Sequence, residues 1–151
     1  MHLLPHTTRP RPDIHERMLV VLESRRRPAQ QARRLLTGQL QYLGLLTDTD
    51  CPARQRADDA LLVASELVTN ACRHTVGPTR LATHWHPEAH ALTISVSDPS
   101  PEIPHRTPAA HRGAHGGYGI PLVEVLSDRW TAVRHRDDSG KTVSATVTFP
   151  A

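Results

Sequence analysis

Aromatic side chains are scarce in this sequence: Tyr42, Trp85, Tyr118, Trp130 and Phe149 are the only five in 151 residues. The core must therefore be filled by Leu, Val, Ile and Ala, as in an ordinary soluble globular chain. Long apolar runs are missing as well. The two longest, 18–22 and 60–64, are five residues each, against roughly 20 for a helix that crosses a bilayer, so no membrane partner is expected. The first seventeen residues hold Arg and Pro but no apolar stretch, so no secretory signal is expected there and a cytoplasmic location is. The only cysteines, Cys51 and Cys72, form no CxxC pair and suit reduced thiols rather than a disulfide framework. Lysine is nearly absent, with Lys141 alone beside seventeen arginines, yet the formal net charge is only +3. So small a surplus does not define a nucleic-acid face, and direct nucleic-acid binding is not expected.

What is present reads as one domain, since the length suits a single core. Residues 1–17 are Pro- and Arg-rich without periodicity and read as a flexible N-terminal arm, leaving 18–151 for the folded domain. The β-branched run at 18–23 predicts a strand. Ala32, Leu35, Leu36, Leu40 and Leu43 recur at helical spacing and predict a helix over 29–43, with Pro28 suited to its first turn and Gly44 to its stop. A second helix over 53–74 is apolar round most of its circumference between Ala60 and Cys72 and should be central and buried. Strand composition marks 79–86, 91–97, 129–136 and 142–149, and the polar turns at 87–90 and 137–140 make hairpins of the flanking pairs. A Pro-, His- and Gly-rich loop over 99–118 precedes a third helix at 119–127. Adjacent antiparallel strands with segregated helices argue for an α+β, two-layer sandwich.

Three features could carry chemistry. Glu66 and Asn70, four apart on the central helix, share one face, and Arg73 and His74 continue that stripe. A carboxylate and a carboxamide within an apolar helix are costly unless paired or bound to something, whereas the plain alternative is that they face solvent. Asp98 closes an alternating strand just before Pro99, where it could accept a ligand hydrogen bond or simply start a turn. The glycines of the 113–119 stretch, Gly117 and Gly119 among them, run into a helix start, where free backbone N–H groups bind phosphate. A P-loop reading of Gly140-Lys141-Thr142 fails, because His135 stands where a glycine is needed and a strand follows. His84 and His86 could share a strand face as metal ligands, but eleven histidines make such spacing common and no third ligand stands near in sequence.

Taken in order, Glu66-x-x-x-Asn70, Asp98 at a strand end, Gly117-x-Gly119 before a helix and Gly140-Lys141-Thr142 before the last strand resemble the four boxes of the GHKL (histidine-kinase-like) ATPase superfamily. The wording Glu66-Leu67-Val68-Thr69-Asn70-Ala71 is similar to its anti-sigma-factor serine kinase branch. The resemblance implies a Bergerat-type ATP-binding fold with a mostly antiparallel sheet and helices on one face, and ATP and Mg²⁺ as its cofactors. It implies that Glu66 activates the hydroxyl or water that attacks the γ-phosphate and that Asn70 ligates Mg²⁺. Arg73 and His74 would lie at the nucleotide, and Asp98 would accept from the adenine amino group with support from Thr142. Gly117 and Gly119 would offer N–H groups to the phosphates. The implied function is transfer of the γ-phosphate to a serine of an anti-anti-sigma factor, control of a sigma factor, and a homodimer. Where relatives carry Asp-x-Gly-x-Gly, this chain has Asp98-Pro99-Ser100-Pro101-Glu102, a stiffer segment with fewer N–H donors. An ATP-binding partner-switching regulator with weak or no catalysis is the alternative, and a small basic DNA-associated regulator without nucleotide is a second one.

Overall fold

The computed structural model describes residues 16–23, 26–47, 50–74, 79–103 and 119–151, with only the backbone of His74. The elements run β1 (Arg17–Leu22), α1 (Pro28–Tyr42), α2 (Pro52–His74), β2 (Thr79–His86), β3 (Ala91–Asp98), α3 (Gly119–Leu126), β4 (Arg129–Arg134) and β5 (Lys141–Thr148). The strands form one sheet in the order β1-β2-β3-β5-β4, with every neighbouring pair antiparallel. The helices pack on one side of it, giving the expected two-layer α+β architecture. The expected arm reaches the sheet earlier than its boundary at 17: Arg17 pairs with His84, and the Glu16 carbonyl accepts from the Trp85 N–H at 2.7 Å.

Local chemistry sets the element ends. Pro28 opens α1, where its missing N–H would have no partner in any case. The helix stops at Gly44, whose φ of +72° suits glycine, and the Leu45 N–H closes back on the Leu40 carbonyl at 2.9 Å. The β2–β3 turn ends at His90 and the β4–β5 turn passes through Asp138, both at positive φ. In the latter, the Asp138 N–H donates to His135 and the Ser139 N–H to the Asp137 carboxylate.

Helix α2 is the centre of the molecule, packing against α1, α3, β2, β3 and β5. Ala57, Ala60, Val63, Ala64, Leu67, Val68 and Ala71 are buried along it, an i, i+3, i+4 pattern that aims one face at the sheet. They meet Leu81, Leu92, Ile94, Val96, Val143 and Val147 from the strands and Leu36, Leu40 and Val123 from the other helices. Each fully buried Leu, Ile or Val contributes about 1.5–3 kcal/mol of transfer free energy. The opposite sheet face is polar at its centre, where Ser97 meets Thr142 at 2.7 Å and Ser95 meets Ser144 at 2.8 Å. That alternation decides which side chains can reach the helix layer.

Candidate nucleotide site

Glu66 and Asn70 are half-buried on α2, one turn apart, beside Leu67, Val68 and Ala71 in the core. Among the described residues nothing hydrogen-bonds or ion-pairs with either side chain. A carboxylate and a carboxamide at the rim of an apolar core, both with spare hydrogen-bonding capacity, are available to a ligand. Arg73 follows on the same helix and is exposed. The side chain of His74 lies outside the described residues.

Asp98 ends β3 with its side chain turned to the helix layer, 2% exposed. Its Oδ1 accepts from the Ser100 N–H at 2.8 Å and from Lys141 Nζ at 3.0 Å. Lys141, 5% exposed, also donates to the Ser100 carbonyl at 3.1 Å. The next carbonyl, that of Pro101, accepts from Arg134 Nε at 2.9 Å. Two cations thus hold the segment that leaves β3. Gly140 has to be glycine here: a Cβ would lie 2.0 Å from the Asp98 carbonyl oxygen, a backbone atom that cannot step aside.

Register separates Asp98 from Thr142, two residues that the family resemblance joins. In the β3–β5 pairing Asp98 faces Lys141 and Ser97 faces Thr142. Because successive side chains leave opposite faces, Lys141 lies with Asp98 toward the helices while Thr142 lies on the far side. There its hydroxyl meets Ser97 at 2.7 Å and His135 Nε2 at 2.9 Å. The neighbour of Asp98 is therefore Lys141 and not Thr142. Parity alone carried this signal, since Lys141 is in step with Val143, Ala145 and Val147, the apolar set of β5.

Gly119 is the first residue of α3, and Pro121 sits in its opening turn. Gly117 and the rest of 104–118 lie outside the described residues. His84 and His86 do share a sheet face, with ring centroids 4.0 Å apart. Burial, helped by the charges of His86 and Arg17, lowers the His84 pKa from its ordinary value. Among the described residues no group of three His, Cys, Asp or Glu side chains could hold a metal ion, and no helix is long and apolar enough to cross a membrane.

The profile of the histidine kinase-like ATPase domain matches residues 29–147, a span that holds α1 to β5 nearly complete together with Glu66, Asn70, Asp98 and Lys141. The chain belongs to that family. Nucleotide binding is implied by membership of an ATPase domain family. Among solved structures, the chain is similar to the RsbU and RsbW domains of Rv1364c from Mycobacterium tuberculosis, with a TM-score of 0.65 and 18% identity. The likeness covers 89% of this chain and 33% of that one, so this chain spans about a third of that structure's length. At that identity it is the fold that is shared. No curated protein matches the sequence.

Proposed function

We propose that this member of the histidine kinase-like ATPase family is an ATP-binding regulator that acts as a serine kinase on an anti-anti-sigma partner and thereby controls a sigma factor. The observation that carries the reading is the pair Glu66 and Asn70, half-buried one turn apart with no partner among the described residues. The likeness in fold to a structure described as containing an RsbW domain supports it. In this reading Asp98 accepts from the adenine amino group, and the N–H groups of Gly117 and Gly119 meet the phosphates where the loop runs into α3. Arg73 adds positive charge near those phosphates, and His74 follows it as a further contact.

Glu66 takes the proton from the partner's serine hydroxyl as its oxygen attacks the γ-phosphorus. The bond to the β–γ bridging oxygen breaks, and ADP leaves with that electron pair. Asn70 offers an oxygen donor suited to a hard cation, so it fits as the protein ligand of Mg²⁺. When bound, Mg²⁺ neutralises charge on the transferring phosphate. The test is transfer of labelled γ-phosphate to a candidate partner by wild type and by Glu66→Gln, which keeps shape but removes the proton acceptor. Transfer should fall by about 10²–10⁴ while ATP affinity holds. Wild-type transfer by the variant places the base elsewhere.

A second reading, a binding-only partner switch, is favoured by one feature. The Pro99-Ser100-Pro101 segment is tied down by Lys141 and Arg134, where relatives carry flexible glycines. A wild type that binds ATP and never transfers phosphate would establish it. In either reading a homodimer working in the cytoplasm is the proposed form.

A further inference from the structure

Asp98 and Lys141 are both more than nine-tenths buried, yet neither is saturated. A carboxylate offers about four acceptor sites on its two oxygens, and an ammonium offers three donors. Both donors to Asp98, the Ser100 N–H and Lys141 Nζ, converge on Oδ1, and among the described residues none donates to Oδ2. Lys141 uses two donors, on Asp98 Oδ1 and on the Ser100 carbonyl. A buried ion pair adds little net stability, because desolvation offsets the attraction. What it does supply is orientation: one oxygen is pinned by two donors and the other keeps its full accepting capacity where water scarcely reaches.

We infer that Lys141 is a positioning residue for base recognition, pinning Asp98 through Oδ1 so that Oδ2 stands as the acceptor for one exocyclic amine of a purine. This rests on the nucleotide reading above and gives it a source of selectivity. The turn is built to hold that arrangement. Asp98-Pro99-Ser100 closes as an Asx-turn, Pro99 fixes φ and carries no N–H, and the close approach of Gly140 keeps β5 against the turn. Lysine suits the task better than arginine. An ammonium is a compact point donor that engages one oxygen, whereas a guanidinium is a planar fork that spans both.

The test compares the affinities of ATP and inosine triphosphate, which has a 6-oxo group in place of the 6-amino group, for wild type, Lys141→Arg and Lys141→Met by calorimetry. Wild type should prefer ATP by about tenfold to a hundredfold, the range expected when a buried acceptor is left unpaired. Lys141→Arg keeps the charge pair, and so the fold, but occupies Oδ2, and its preference should fall to within about threefold of unity. Lys141→Met should lose preference as well, because the carboxylate is no longer pinned; if it does not fold, Lys141→Arg carries the test. A residue with a merely structural role would weaken both nucleotides alike and leave their ratio unchanged. A folded Lys141→Arg chain with the wild-type ratio overturns the inference, as does a wild type that binds both equally, and in each case nucleotide binding itself stands. A wild type that binds neither overturns the nucleotide reading and this inference with it.

Discussion

The two ends of β5 are each tied by a cation and a carboxylate, and they do different work. At its far end Arg56 of α2 donates through Nε to the Thr148 carbonyl at 2.8 Å and through Nη1 to Asp59 at 2.9 Å and to the Leu126 carbonyl at 3.0 Å. Its Nη2 reaches Asp128 at 2.8 Å, and Asp128 accepts again from the Thr148 N–H at 2.7 Å. Four of the five guanidinium donors are spent, joining α2, the end of α3 and β5. The side chains of Arg56 and Asp128 remain 24% and 50% exposed. At the near end Lys141 and Asp98 are 5% and 2% exposed, and they leave an acceptor and a donor unspent. A nearly saturated, half-wet node is a structural tie between elements. A sparing, dry node has capacity for a ligand.

The widest separation between the two should come from Lys141→Met. It leaves the Asp98 carboxylate buried without its counter-ion, at a cost of about 3–5 kcal/mol in urea unfolding. A loss below about 1 kcal/mol would mean that the pair is solvated and would erase the contrast. Arg56→Ala should cost less, about 1–2 kcal/mol, since its partners are partly exposed and water can replace the lost donors. It should leave the preference for ATP over inosine triphosphate untouched; a changed preference would show that the far node also shapes the base site. The smallest effect is in acid. Burial alone would raise the Asp128 carboxyl, but the Thr148 hydrogen bond and the Arg56 charge outweigh it and hold the group below its ordinary 3.8. A carboxyl depressed in the folded state stabilises above its unfolded value, and that contribution is lost as pH falls through the folded one. Stability of the wild type should therefore decline further below about pH 4 than that of Asp128→Asn. Parallel curves would remove Asp128 from the account.

The near and far nodes also differ in how legible they were. Helix and strand positions followed from local rules: Pro28 and Gly44 bracket α1, the turns at 87–90 and 137–140 mark the hairpins, and α2 shows its apolar character between Ala60 and Cys72. The stripe of Glu66 and Asn70 was visible for the same reason, because helical spacing is a local property. In the sequence Lys141 stands out only as part of a Gly-Lys-Thr motif. Its partner is 43 residues away, and the contact depends on β5 lying between β3 and β4. Counting alternate residues back from Val147 and forward from Val96 does place Lys141 and Asp98 on the same sheet face, so the parity was in the sequence although the pairing was not. Arg56 and Asp128, 72 residues apart on a helix and a loop, left no periodic signal at all.

Thermal unfolding of wild type and Asn70→Ala, each with and without ATP and Mg²⁺, tests most directly whether the chain binds nucleotide through the proposed site. At a hundredfold excess over the dissociation constant, binding to the folded state adds about 2.7 kcal/mol. That should raise the midpoint of the wild type by several degrees, roughly 5–11 °C for a domain of this size. Asn70→Ala should unfold at the wild-type temperature without ligand and gain little when ATP and Mg²⁺ are added. A wild type with the same midpoint in both conditions, or a variant that shifts as far as wild type, would contradict the account.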